Sequence, residues 1–226
     1  MLPIGDDNSR RKTFPFVTYA LIAVNVVVFL IELLQGDPFI MQWAFVPARF
    51  LANPVGDFPT LFSSMFMHAG LMHIGGNMLY LWIFGDNVED RFGHIPFLVF
   101  YLVCGLAATA LQLAFSIGSS IPNLGASGAI AGVLGSYMIM FPQEQVKVLM
   151  GRTINSVSAL IVIGGWIVIQ LISGFGSIVD TSTSSGGVAY MAHIGGFIAG
   201  LVLTFLFLGS SLGSGRRLAA PGAQTR

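Results

Sequence analysis

Three short runs in this 226-residue chain hold side chains suited to nucleophilic and acid–base chemistry. Residues 67–77 include His68, His73 and Asn77; residues 123–129 read Asn-Leu-Gly-Ala-Ser-Gly-Ala around Ser127; residues 192–196 read Ala-His-Ile-Gly-Gly around His193. A serine hydroxyl is a weak nucleophile until a base removes its proton during attack, and a neutral imidazole suits that task. The types present therefore predict Ser127 as nucleophile and His193 as general base. Attack on a carbonyl builds an oxyanion, for which His73, Asn77 and the Ser127 amide at a helix N-terminus are the candidate donors. His73 and Asn77 are four residues apart, about 40° round a helix, and share a face; His68 is about 140° from His73 and belongs to the turn leading in. No carboxylate lies at comparable depth, so a dyad is expected, with Asp180 in the preceding loop kept as a lesser alternative orienting group.

Each of these residues alone reads as structure. A single serine in an apolar helix usually bonds back to its own backbone, and a single Asn or His there usually joins two helices. His94 reads as a solvated loop residue and Cys104 as an inert core thiol. Gly125-Ala126-Ser127-Gly128 is a GxSG run and lacks the second glycine of the GxSxG elbow, because position 129 is Ala. A zinc site would need His68, His73 and His193 to converge, but there is no HExxH, and Asn77 is a poor zinc ligand. No metal and no cofactor are expected.

The elements that must position these groups follow from composition. Hydrophobic residues make up 54% and charged residues 9%, against roughly 25% charged in a soluble domain. That excludes a disordered chain, a coiled coil and an ordinary soluble enzyme. Zero net charge without a basic stripe excludes nucleic-acid binding, and the single cysteine excludes an internal disulfide. The expected class is an all-α integral membrane protein whose constant partner is the lipid bilayer. Six apolar stretches are predicted to span it: 16–34, 60–84, 96–117, 127–140, 154–175 and 188–208. The first follows Arg10-Arg11-Lys12, but no small-residue cleavage site succeeds it and Glu32 interrupts its end, so an uncleaved helix is expected rather than a signal peptide. Arg10, Arg11, Lys12, Arg91, Lys147, Arg152, Arg216, Arg217 and Arg226 then fall on one side and Arg49 on the other, which predicts both termini in the cytoplasm. The domain plan is a cytoplasmic tail at 1–15, a six-helix bundle at 16–208 and a second tail at 209–226.

The fourth stretch is short, about 21 Å long at 1.5 Å per residue, so Ser127 should open a helix below the outer surface. Residues 119–126 would reach it as irregular backbone, which at membrane depth is tolerated only inside protein or along a wet cavity. Gly128 with Gly132, and Gly196 with Gly200, form two GxxxG pairs that would let these helices approach closely and bring Ser127 to His193.

Taken in order, HxxxxHxxxN in the second stretch, GxSG opening the fourth and AHxxG in the sixth resemble the rhomboid intramembrane serine proteases, over about residues 16–208. The resemblance implies a serine endopeptidase that cleaves peptide bonds in or near transmembrane segments of membrane proteins. It carries the nucleophile onto Ser127, the base onto His193 and oxyanion stabilisation onto His73 and Asn77. It gives His68 a supporting place beside Gly125 and Gly128, and it sets Trp43, Phe45 and Arg49 in a first loop partly within the outer leaflet. The run 85–93 also looks like the family's and is assigned a structural role. Some members carry a tyrosine four residues after the serine, stacked on the base; here that residue is Ala131. The short tails suggest a compact prokaryotic type in the plasma membrane, with the 176–187 loop as a mobile cap. The alternatives are a catalytically silent relative that escorts membrane proteins and a small transporter or channel. Natural substrate, cleavage preference and oligomeric state have no signature in the sequence.

Overall fold

Long apolar runs bounded by Pro or Gly fold as helices because in lipid each backbone N–H and C=O must be paired within its own segment. A computed structural model describes the backbone of residues 2–179 and 189–213, with side chains for all of these except 177–179 and 209–213. In chain order the helices are α1 (Phe16–Gln35), α2 (Asp37–Trp43), α3 (Pro47–Ala52), α4 (Pro54–Asp57), α5 (Thr60–Ser63), α6 (Leu71–Phe92), α7 (His94–Phe115), α8 (Ser127–Met140), α9 (Ala159–Val179) and α10 (Tyr190–Gly213). A 3₁₀ turn, Ser64–Phe66, joins α5 to the segment before α6. Among the described residues, α1, α7, Ala159–Gly176 of α9 and Tyr190–Leu208 of α10 are long and apolar enough to cross a membrane. Together with outward-facing apolar side chains such as Leu34, Ile172 and Phe205, they make this an integral, multi-pass, mostly helical membrane protein.

The core is centred on α8, whose residues from Gly128 through Tyr137 are all buried. Small side chains make that possible. A Cβ added at Gly196 would collide with the Gly128 carbonyl, and one at Gly200 with the Gly132 carbonyl, so the backbones of α8 and α10 touch at both GxxxG pairs. The same Gly132 also admits α7: a Cβ there would come within 2.5 Å of Cys104, which is fully buried.

Three expectations change. The chain is not purely helical: β1 (Leu2–Gly5), β2 (Gln145–Met150) and β3 (Thr153–Ser158) form an antiparallel sheet in the order β1-β2-β3. Val146 and Val148 are buried while Gln145 and Lys147 are exposed, a period of two that commits this run to a strand. Gly151, at φ +62°, reverses the chain, so Lys147 faces Ser156 and the fifth long helix starts at Ala159 instead of 154. The second long helix starts at Leu71 rather than 60, because residues 67–70, after the 3₁₀ turn, are not helical. Finally, His94, read as a solvated loop residue, instead opens α7, half-exposed, with its Nδ1 2.5 Å from Glu89 Oε1. Run 85–93, given a structural role, is the end of α6 through Phe92, with Asp86, Asn87 and Glu89 buried. Segment 180–188, which holds Asp180 and most of the expected cap, lies outside the described residues, as do residues 214–226 with Arg216, Arg217 and Arg226.

Candidate active site

Ser127 is the first residue of α8, and the irregular segment before it is tied to the first loop by backbone hydrogen bonds. Asn123 N–H donates to the Phe45 carbonyl at 2.7 Å, Phe45 N–H returns one at 3.2 Å, Ala48 N–H donates to Ser119 at 3.0 Å, and Gly125 N–H donates to Ser64 at 2.9 Å. Gly125 sits at φ +138°, and a Cβ there would lie 2.9 Å from His73 Cε1 and 3.5 Å from Ser127 Oγ. Glycine is thus required twice, by its backbone angle and by the imidazole and hydroxyl converging on it.

Ser127 Oγ and His193 Nε2 are 2.8 Å apart, a hydrogen bond between α8 and α10 that the glycine contacts of these helices permit. Ser127 is half-buried and His193 buried. The far nitrogen, His193 Nδ1, lies 2.8 Å from Gln170 Oε1 on α9, and the Trp166 ring is centred 5.6 Å from the imidazole. Gln170 and Trp166 escaped the sequence reading. Their signal was the one amide in α9, whose other polar residues are two serines, with an indole one helical turn before it.

His73 and Asn77 lie one turn apart on α6. Ala69 N–H donates to His73 Nδ1 at 3.3 Å, which leaves the proton of the neutral ring on Nε2, the nitrogen beside Gly125. Asn77 is buried and its Nδ2 has no hydrogen-bond partner among the described residues. His68 is buried in the turn before α6, its ring edge-on to His73 at 5.1 Å, and its backbone N–H donates to both Glu32 carboxylate oxygens at 3.1 Å. Glu32, at the end of α1, was read only as an interruption of the first span; its carboxylate instead lies beside His68, where no carboxylate was expected. A cavity of about 40 Å³ adjoins Ser127, lined among others by Ser64, Thr109, Gln112 and Asn123. Its lining is mostly apolar, but these polar side chains and its volume suit it to hold a water molecule. Among the described residues, no three His, Cys, Asp or Glu side chains group as a metal site would need.

A membrane-embedded helical bundle that seats a serine hydroxyl on an imidazole, next to unpaired donors, defines a narrow class of protein. The chain belongs to the rhomboid family: residues 55–210 match the Rhomboid domain. It is 28% identical to mitochondrial Rhomboid protein 1 of Saccharomyces cerevisiae over 84% of this chain and 53% of the relative. It is 32% identical to Rhomboid protease GluP of Bacillus subtilis over 82% and 34%, and 30% identical to Rhomboid protease GlpG of Salmonella typhi over 89% and 71%. The chain thus spans about half the length of the yeast relative and about a third of the Bacillus one.

Proposed function

We propose that this chain is an intramembrane serine endopeptidase, cleaving peptide bonds in or near the transmembrane segments of membrane proteins with a Ser127–His193 dyad. One observation carries the reading: the 2.8 Å contact between Ser127 Oγ and His193 Nε2 within a bundle of rhomboid type. In the first step Oγ adds to the scissile carbonyl carbon while its proton passes to Nε2. The carbonyl oxygen takes the negative charge and meets His73 Nε2–H, Asn77 Nδ2–H and the amide at the start of α8. These donors are already oriented, so they need not reorganise as charge develops. The imidazolium then protonates the leaving amine, which frees the first product and leaves an acyl ester on Ser127. Water from the adjoining cavity, deprotonated by His193, attacks that ester and restores the hydroxyl.

The same reading gives six spans, with α6 and the short α8 joining the four long apolar helices, and both termini in the cytoplasm. The nine-to-one bias of basic residues supports it. A prokaryotic plasma membrane is the proposed location, supported by the Bacillus and Salmonella relatives beside the mitochondrial one. The test is turnover of a single-span substrate in liposomes. Ser127→Ala and His193→Ala should each abolish cleavage, whereas unchanged turnover in Ser127→Ala would end the proposal.

A further inference from the structure

A neutral imidazole has one protonated and one unprotonated nitrogen, and only the second can accept a proton. The proposed chemistry needs Nε2 of His193 to be the open one, so Nδ1 must carry the hydrogen. In this protein Nδ1 faces Gln170 Oε1 at 2.8 Å, with both residues buried. An amide oxygen only accepts, so this contact selects the Nδ1–H tautomer and aims Nε2 at the serine. Trp166, one turn earlier on α9, lies against the same ring, while position 131 on α8 offers only a buried methyl group.

We propose that Gln170, backed by Trp166, is the positioning residue that holds His193 in its working tautomer and orientation, so that α9 steers the base of a dyad built on α8 and α10. The proposal rests on the dyad reading above. An amide differs from the carboxylate of a serine-protease triad in one respect: it orients the ring but does not neutralise the imidazolium formed during attack. A plain structural role, an amide bridging two helices, would give similar packing but no such coupling to the proton transfer.

The experiment compares wild type, Gln170→Met, Gln170→Leu, Gln170→Glu and Ser127→Ala in liposomes, reading kcat, KM and the pH profile on a single-span substrate. His73, the other imidazole interacting electrostatically with His193, stays in place. Gln170→Met and Gln170→Leu, which remove the acceptor, should lower kcat about 10- to 100-fold with KM little changed. Gln170→Glu restores an acceptor of the same reach; it should recover most of kcat and raise the pH at which activity is half lost on the acid side. Nitrogen NMR of labelled histidine in the wild type should show His193 protonated at Nδ1. Wild-type kcat in Gln170→Met, equal impairment in Gln170→Met and Gln170→Glu, or a wild-type ring protonated at Nε2 would each overturn the proposal. If Ser127→Ala is inert while Gln170→Met is fully active, positioning by Gln170 fails and the dyad stands; an active Ser127→Ala removes both.

Discussion

The two ends of α6 carry similar polar residues in opposite states. At the end near the sheet, Glu89 uses both carboxylate oxygens: one accepts from Val17 N–H at 2.9 Å and contacts His94 Nδ1 at 2.5 Å, and the other accepts the Thr18 amide and hydroxyl at 2.7 Å. It thereby caps the N-terminus of α1, which has no side-chain cap of its own. Asp86 pairs with Arg11 at 2.6 Å, and Asp90 accepts from the amides of Lys12 and Thr13. At the end near Ser127, Asn77 Nδ2 and both His68 ring nitrogens lack partners among the described residues. An unpaired buried polar group costs about 1–3 kcal/mol, so the difference is informative. The saturated carboxylates clamp the chain; the open amide of Asn77 is the donor that the proposed reaction would use.

The comparison breaks most sharply at Asn77. Asn77→Ala removes an open donor, so kcat should fall about 10²- to 10³-fold while thermal stability holds or rises. A large loss of Tm with wild-type kcat in the folded fraction would show that Asn77 belongs with the clamps. Glu89→Ala should do the reverse. Uncapping α1 should cost about 3 kcal/mol, read as a lower Tm, with catalysis per folded molecule intact.

The smallest effect is expected at Asp6, where the N-terminal segment docks. Its carboxylate accepts from Tyr137 Oη and Asn87 Nδ2, both at 2.7 Å. Burial, with Asp86 adding repulsion and these two hydrogen bonds opposing, pushes Asp6 up to about 6 from an ordinary 3.8. A carboxyl that holds its proton more tightly when folded stabilises the fold at low pH. That contribution is complete below about pH 4, falls through the window from 4 to 6, and is gone above it. Thermal melts should show wild-type stability declining by about 1 kcal/mol across this window, and Asp6→Asn removing the decline. Identical slopes in the two proteins would contradict the assignment.

Legibility of the sequence followed the range of the interactions. The limits of α8 were readable because Pro122, Gly125 and Pro142 bracket it locally, and the α8–α10 contact was readable because two glycine pairs announce it. The sheet was hidden because Ile154 and Val157 merge with the apolar run after Ala159 when composition is averaged over a span; β3 has no buried-exposed alternation of its own and shows only in its pairing with β2. Run 85–93 was given a structural role without its partners, because what Glu89 binds lies far away, at Thr18, 71 positions earlier. Gln170 was overlooked for the same reason: an amide in an apolar helix has no visible role until His193 is seen to face it.

The central claim is that Ser127 is an activated hydroxyl within the bilayer, and a single labelling measurement tests it most directly. Membranes holding the intact protein are treated with a fluorophosphonate, and the modified residue is located by peptide mass spectrometry. Modification at Ser127 that vanishes in His193→Ala is the predicted result. A Ser127 that stays unmodified, or reacts equally fast without His193, would contradict it.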